Sequence, residues 1–275
     1  MKEPLVSVIV PTKNSKLFIE SCLKSIQGQT YQNIEIILID NFSTDDTKEI
    51  AGKFTKQIFE KGPERSTQRN FGVSQASGKY VAIIDSDMEL SPSVIEECVN
   101  KIERDSSLVG IVIPEESFGI GFWAQCKKLE KSFYNGVSWI EAARFFPKEA
   151  YKKVGGYDEE MVSGEDWDLS QRIQKFGQIG RIGSLIHHNE GKISLFRTIR
   201  KKYYYAQKYS KYLAKNKSTL NSRSQNSVIA RYKLYFSDTK KLFKNPLTGL
   251  GMLFMKTAEL FFGGIAILMV RFKSK

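Results

Sequence analysis

Apolar positions in the first 115 residues fall into short runs, separated by stretches with helical spacing. Val6–Val10 reads as a strand stopped at Pro11, and Ile34–Ile39 as a second strand ending at Asp40. Tyr80–Ile84 and Val109–Ile113 read as further strands, and Ser184–Ile186 as a later one. Leu17–Gln27 places Leu17, Cys22, Leu23 and Ile26 at helical intervals. Thr44-Asp45-Asp46 opens a short helix through about Lys53, with an acidic first turn that suits the helix dipole. Thr67–Ala76 is predicted helical and is ended by Ser77-Gly78-Lys79. Ser91 is a predicted N-cap, with Pro92 at the first position of the helix that follows. Strands alternating with helices predict an α/β fold whose mainly parallel sheet is covered on both faces.

Polar clusters follow three of these strands: Pro11-Thr12-Lys13-Asn14, Asp40-Asn41 and Asp85-Ser86-Asp87. All three fall on the carboxyl edge of the predicted sheet, where open α/β folds bind ligands. Side chains two apart on an extended segment point the same way, so Asp85 and Asp87 can face one hard cation such as Mn²⁺ or Mg²⁺. Taken alone, the same acids also read as a strand end before the helix near Pro92. No G-x-G-x-x-G follows the first strand, and the chain has no G-x-x-x-x-G-K-[ST] loop, which excludes a dinucleotide fold and ordinary ATPases and GTPases.

The length of 275 residues allows one large domain or one domain with an appendage, and 41% hydrophobic residues permit a full core. A net charge of +12 predicts an anionic partner: nucleic acid, acidic lipid or a phosphorylated substrate. Cys22, Cys98 and Cys126 are far apart and form no C-x-x-C pair, so neither a disulfide framework nor a zinc site is expected, and a reducing setting fits. Met1-Lys2-Glu3-Pro4 runs at once into a strand, which predicts no signal peptide.

Read in order, Val6–Asn14, Ile39–Thr47, Gln68–Val73 and Ala76–Tyr80 running into Asp85–Asp87 form a set. Gly155-Gly156-Tyr157-Asp158 leading to Gly164-Glu165-Asp166-Trp167-Asp168-Leu169 completes it. Over about residues 4–190 this set resembles the family 2 glycosyltransferases, with the GT-A fold. The resemblance implies that Pro11, Thr12, Asn14 and Asp40 line the base and ribose of a nucleotide-sugar donor. It places Arg69 near the diphosphate or sugar and makes Asp85 and Asp87 the ligands of a divalent cation, Mn or Mg. Asp166 is the implied catalytic base, with Glu165 beside it contacting donor or acceptor. His188 matches a histidine that some relatives use near the metal or diphosphate, and its choice over His187 rests on the Asn189-Glu190-Gly191 that follows. Transfer to a hydroxyl needs a stabilised leaving group and a carboxylate that takes a proton. One such base without a nucleophile motif fits one-step inversion, as the resemblance implies. Asp168 is read instead as an acid at a helix N-terminus. For Arg144, a donor or acceptor phosphate and a plain salt bridge stand as equal readings.

The resemblance assigns residues 1–192 to the catalytic domain and leaves 193–275 as a helical extension. Arg197–Lys217 holds eight Lys or Arg and five Tyr, with Tyr205, Tyr209 and Tyr212 on one helical face and Arg200, Lys201, Lys208, Lys211 and Lys215 mostly elsewhere. Leu247–Val270 is apolar apart from Lys256 and Glu259 and has basic flanks. Gly249, Lys256, Glu259 and Gly263 form a stripe that can face a partner helix, a second copy or the headgroup layer. An interfacial helix on the cytoplasmic face of a membrane is the preferred reading, ahead of a single span and a packed soluble helix. Trp123, Phe133, Tyr134 and Trp139 are read as core or interface aromatics before acceptor-binding ones. The resulting expectation is a membrane-associated, metal-dependent inverting transferase with a lipid-linked or glycan acceptor, an anionic membrane surface as partner and no nucleic acid. A polyprenyl-phosphate glycosyl synthase is the alternative.

Overall fold

The computed structural model describes residues 3–209, 212, 215 and 224–273; Lys211 and most of the basic run up to Arg223 lie outside them. The chain divides into two compact units. The first comprises residues up to Glu115 together with Ala142–Glu160 and Glu165–Asn189.

Its centre is a seven-stranded sheet in the order β3-β2-β1-β4-β8-β6-β9. These strands are β1 (Val6–Thr12), β2 (Ile34–Asp40), β3 (Ile58–Glu60), β4 (Tyr80–Ile83), β6 (Leu108–Val112), β8 (Phe145–Pro147) and β9 (Gln178–Arg181). β1 pairs in parallel with β2 and β4, β2 with β3, and β6 with β9. The short β8 is antiparallel to both β4 and β6. The mixed, mostly parallel sheet agrees with the predicted class, and β8 is the departure from it.

Strand alternation sorts the core into two layers. Val6, Val8 and Val10 of β1 pack with Ile19, Cys22, Leu23 and Ile26 of α1 (Ile19–Gln27) and with the apolar face of α4 (Val94–Arg104). Ile9, Ile37 and Ile39 face the other way, onto Val73 of α3 (Arg65–Gln75) and Leu169 and Ile173 of α7 (Glu165–Ile173). Gly72 sets how closely α3 approaches, because a Cβ there would lie 2.3 Å from Cγ2 of Ile9. All three cysteines are buried free thiols.

Several boundaries differ from the sequence expectation. α2 covers only Thr47–Ala51, because Asp45 turns back to accept from Thr47 N and Lys16 N instead of entering a helix. α4 begins at Val94 after Ser93, and the hydroxyl of Ser91, the predicted cap, lies 3.1 Å from Nε2 of His187. The expected strand Ser184–Ile186 moves forward to β10 (Ile186–Lys192), so the histidines are strand residues, paired antiparallel with β5 (Met88–Leu90).

The second unit comprises Glu116–Glu141, Met161–Gly164 and Glu190 onward. Its helices are α5 (Phe122–Ser132), α8 (Leu195–Lys208), α9 (Val228–Phe236), α10 (Thr239–Leu242) and α11 (Pro246–Lys273). Ser227 and Asp238 cap α9 and α10 by accepting from Ala230 N and Lys241 N. Cys126, Phe133, Tyr235, Leu242, Met252 and Met255 form its apolar core. The stripe of Gly249, Lys256, Glu259 and Gly263 is buried against helices of the same chain. Lys256 Nζ lies 2.7 Å from Glu130 and 2.9 Å from Glu259, while Lys127 Nζ lies 2.8 Å from Glu130 and 3.5 Å from Glu259. By length and composition, Pro246–Val270 could cross a membrane, and 28% of its apolar window is buried within the protein.

Candidate active site

The register of β1 on β2 sets Thr12 beside Asp40, so the polar residues after both strands start level. Hydrogen bonds then knit the loops together. Ser43 donates to Asp40 through both its N–H (2.6 Å) and its hydroxyl (2.5 Å), which engages both carboxylate oxygens of the fully buried Asp40. Asn14, at φ 48°, donates its N–H to the Ser43 hydroxyl and accepts from Thr44 N. Ser15 N donates to Thr47, and the Ser15 hydroxyl shares a 2.8 Å hydrogen bond with Ser86. The three clusters expected on the sheet edge are therefore one connected structure. From α3, Gln68 Nε2 donates to the carbonyls of Thr12 (3.0 Å) and Ile39 (2.7 Å), bracing the ends of β1 and β2. Pro11 and Thr12 are buried within β1, and Thr12 Oγ1 has no hydrogen-bond partner among the described residues.

Beyond β4, acids and arginines alternate. Arg69 is fully buried, with Nη2 2.8 Å from Asp85 and Nη1 3.0 Å from Asp166 and 3.5 Å from Glu165. Its guanidinium carbon lies 4.9 Å from the centre of the Tyr157 ring. The Tyr157 hydroxyl donates to the same Asp166 oxygen at 3.0 Å. Asn70 clamps Tyr157 by accepting from its N–H and donating to its carbonyl. Arg144 lies 3.6 Å from Asp85 and donates to Glu115 at 2.8 Å. Burial pushes the Asp85 carboxyl up, but Arg69 and Arg144 outweigh it and hold the group well below the usual carboxylate range. Glu165 moves the other way: burial first, then the neighbouring Asp166, raises its carboxyl despite Arg69 and Arg65. Asp166 keeps its side chain 30% exposed, so the arrangement offers one fixed, solvent-reaching carboxylate beside buried charge.

His188 Nε2 lies 3.3 Å from Asp87, with Nδ1 3.7 Å from Glu115. Neighbouring residues of a strand point to opposite faces, and His187 turns to Ser91. Two carboxylates and an imidazole are a donor set that fits Mn²⁺ or Mg²⁺. Asp87 and His188 already stand together, while Asp85 faces its arginines. Among the described residues no group of three His, Cys, Asp or Glu side chains is arranged to hold a metal ion. Asp168 is buried and bonds Arg172, which donates to the carbonyls of Val154 and Gly156 and fixes the turn before Tyr157.

Tyr157 and Gln68 lie inside segments already singled out in the sequence, yet neither had been given a role. Glu115 carries no local signal, because its contact with Arg144 depends on the antiparallel insertion of β8.

The sequence profile described as Glycosyl transferase family 2 matches residues 7–203. The chain belongs to that family. Among curated members, it is 37% identical over 113 residues to Glycosyltransferase GlyG of Streptococcus pneumoniae, covering 38% of each chain. It is 36% identical over 108 residues to the GalNAc(5)-diNAcBac-PP-undecaprenol beta-1,3-glucosyltransferase of Campylobacter jejuni, covering 36% of this chain and 34% of that one. The matched stretch thus spans about a third of these relatives' length. Among solved structures, the mannosyltransferase PcManGT from Pyrobaculum calidifontis, in complex with GDP-Man and Mn²⁺, superposes with a TM-score of 0.65 at 16% identity, covering 98% of this chain and 88% of that one. The family's GT-A fold accounts for the sheet and its helical layers.

Proposed function

We propose that the protein transfers a sugar from a nucleotide-diphospho-sugar to a hydroxyl of a lipid-linked or glycan acceptor, with inversion, and with Asp166 as general base. The observation that carries this reading is the Asp166 carboxylate, held at 3.0 Å by both Arg69 and Tyr157 while its side chain reaches solvent. Both contacts fix the direction of the carboxylate, and a carboxylate so placed can take a proton from an acceptor hydroxyl. Arg69, fully buried between Asp85, Asp166 and Glu165, spaces these carboxylates at the donor side of the site. Pro11, Thr12, Asn14 and Asp40 form the donor side, where the buried Thr12 hydroxyl has no hydrogen-bond partner among the described residues.

Asp85, Asp87 and His188 would hold a divalent cation, with Arg144 as the charge that Asp85 relinquishes. A bound Mn²⁺ or Mg²⁺ supplies charge neutralisation for a departing diphosphate. The solved mannosyltransferase, which holds GDP-Man and Mn²⁺, supports donor class and metal by analogy of fold. The Campylobacter relative, named for an undecaprenol-linked acceptor, supports a lipid-linked one and with it a place at a membrane.

Asp166→Asn tests the base. The expected result is a loss of about 10²- to 10⁴-fold in kcat with nucleotide binding retained. Full turnover in that variant would instead favour a phosphate acceptor, already anionic near neutral pH, as in a polyprenyl-phosphate synthase.

A further inference from the structure

The two faces of α11 are chemically opposite. Leu247, Leu250, Phe254, Phe261 and Leu268 recur at helical intervals on the outward side, and Phe254 and Phe261 are 60% and 62% exposed. The inward side carries Lys256 and Glu259, sealed against Lys127 and Glu130 of α5. Charge is distributed unevenly as well. Residues 191–275 hold 19 of the 42 Lys and Arg but only two acids, Asp238 and Glu259, so they are net +17 while residues 1–190 are net −5. Glu259 is buried in the ion cluster, whereas Arg197, Arg200, Lys201, Lys208, Lys240 and Lys244 are exposed. Exposed Phe196 and Tyr204 lie among the cations of α8, which packs along α11.

We infer that the outward face of α11 is a docking surface for an anionic lipid bilayer, and that the helix lies in the plane of the interface. An apolar stripe with flanking cations matches the layered chemistry of acyl chains beneath acidic headgroups. A nucleic acid would use the cations and leave five large apolar side chains in water. The helix is long enough to span, but its own chain holds it along its length. Gly249 lies against Leu242, Gly251 against Phe122 and Cys126, Lys256 against Glu130, and Gly263 against Ala206 of α8. Tyr203 of α8 reaches Met269 near the far end, at 3.1 Å. Since α8 exposes arginines and lysines, a perpendicular α11 would carry these charges into hydrocarbon, where they are strongly disfavoured. An in-plane α11 keeps them at headgroup level.

The inference deepens the membrane side of the proposed function and rests on it for its purpose, but its test needs neither donor nor acceptor. The full chain is sedimented with vesicles of phosphatidylcholine alone or mixed with phosphatidylserine. Binding to the mixed vesicles that weakens with salt is expected. Phe254→Ser combined with Phe261→Ser should lower partitioning by at least about tenfold with an unchanged thermal midpoint, since both residues are outside the core. Spin labels at Leu247→Cys, Phe254→Cys, Phe261→Cys and Leu268→Cys should report one shared shallow depth; the native thiols are buried and spared. Depths that run from one headgroup layer through the midplane would overturn the inference. So would an unaffected double variant, or retention by RNA with no vesicle binding. Sugar transfer to a soluble acceptor analogue is scored separately, so failure of the enzymatic reading leaves the vesicle result standing.

Discussion

Two clusters of buried charge sit in the two units of this chain and are built on opposite rules. In the second unit, Lys127, Glu130, Lys256 and Glu259 balance two positive against two negative charges, and the Glu130 and Glu259 side chains are only 1% and 3% exposed. Both carboxyls are held below their usual range: burial pushes them up, and the paired lysines prevail. In the first unit, Asp85, Asp166 and Glu165 crowd around Arg69, Asp85 also meets Arg144, and Arg65 lies 3.3 Å from Glu165. There one carboxyl, Asp85, is held down while another, Glu165, is pushed up. A balanced, sealed set of ions holds helices in register. A crowded set that reaches solvent keeps protonation states apart, which is what acid–base and ligand chemistry use. Buried charge alone therefore does not mark a site; access to solvent does.

Several experiments can break or sharpen that contrast. The largest effect on turnover is the Asp166→Asn loss already given, and it should leave the thermal midpoint nearly unchanged. Lys256→Ala should do the reverse, costing about 3–5 kcal/mol of stability in chemical denaturation by leaving Lys127 alone against two buried carboxylates, Glu130 and Glu259. If that variant kept its stability, the second cluster would not be structural. A Mn²⁺-dependent thermal shift is expected with nucleotide; His188→Ala should abolish it and His187→Ala preserve it, and equal behaviour would remove His188 from the metal reading. Tyr157→Phe should lower kcat about tenfold in steady-state assays, from loss of the one hydrogen bond by which Tyr157 orients Asp166.

The smallest effect is on stability against pH. Carboxyls lowered in the folded state, Asp85 and Glu130, contribute stability present above about pH 4 and lost as the pH falls through their folded values. Glu165 has the opposite sign, because its raised folded value makes its contribution fade as the pH rises through that value. Glu165→Gln should therefore raise the midpoint near neutrality and leave it unchanged in acid. A midpoint that fell at neutral pH would mean that its pairing with Arg65 and Arg69 outweighs its burial.

Much of the first unit was legible from local pattern. Val6–Val10 and Ile34–Ile39 announce strands by length and branching, and the acids after them lie at the carboxyl edge once the sheet is parallel. The short pieces were not legible. β8 has three residues, too few for any periodicity, and it is held by Ala82 and Ile111 on neighbouring strands. The predicted Ser91 cap failed because its hydroxyl lies against His187, 96 residues away in the chain.

Neighbouring residues alone carry the long central strands and the turns after them, the family, the placement of Asp85, Asp87 and Asp166, and an apolar C-terminal segment bearing one lysine and one glutamate. Each of those is written in neighbouring residues, through spacing and burial preference. Packing across the chain settled that His188 meets Asp87 while His187 does not, that Arg69 is shared among three carboxylates, and that Lys256 and Glu259 turn inward. Those outcomes depend on strand register and on which helix face finds a partner more than a hundred residues away, as Lys256 finds Glu130. Local sequence supplies the charge, and only packing across the chain chooses its counter-ion.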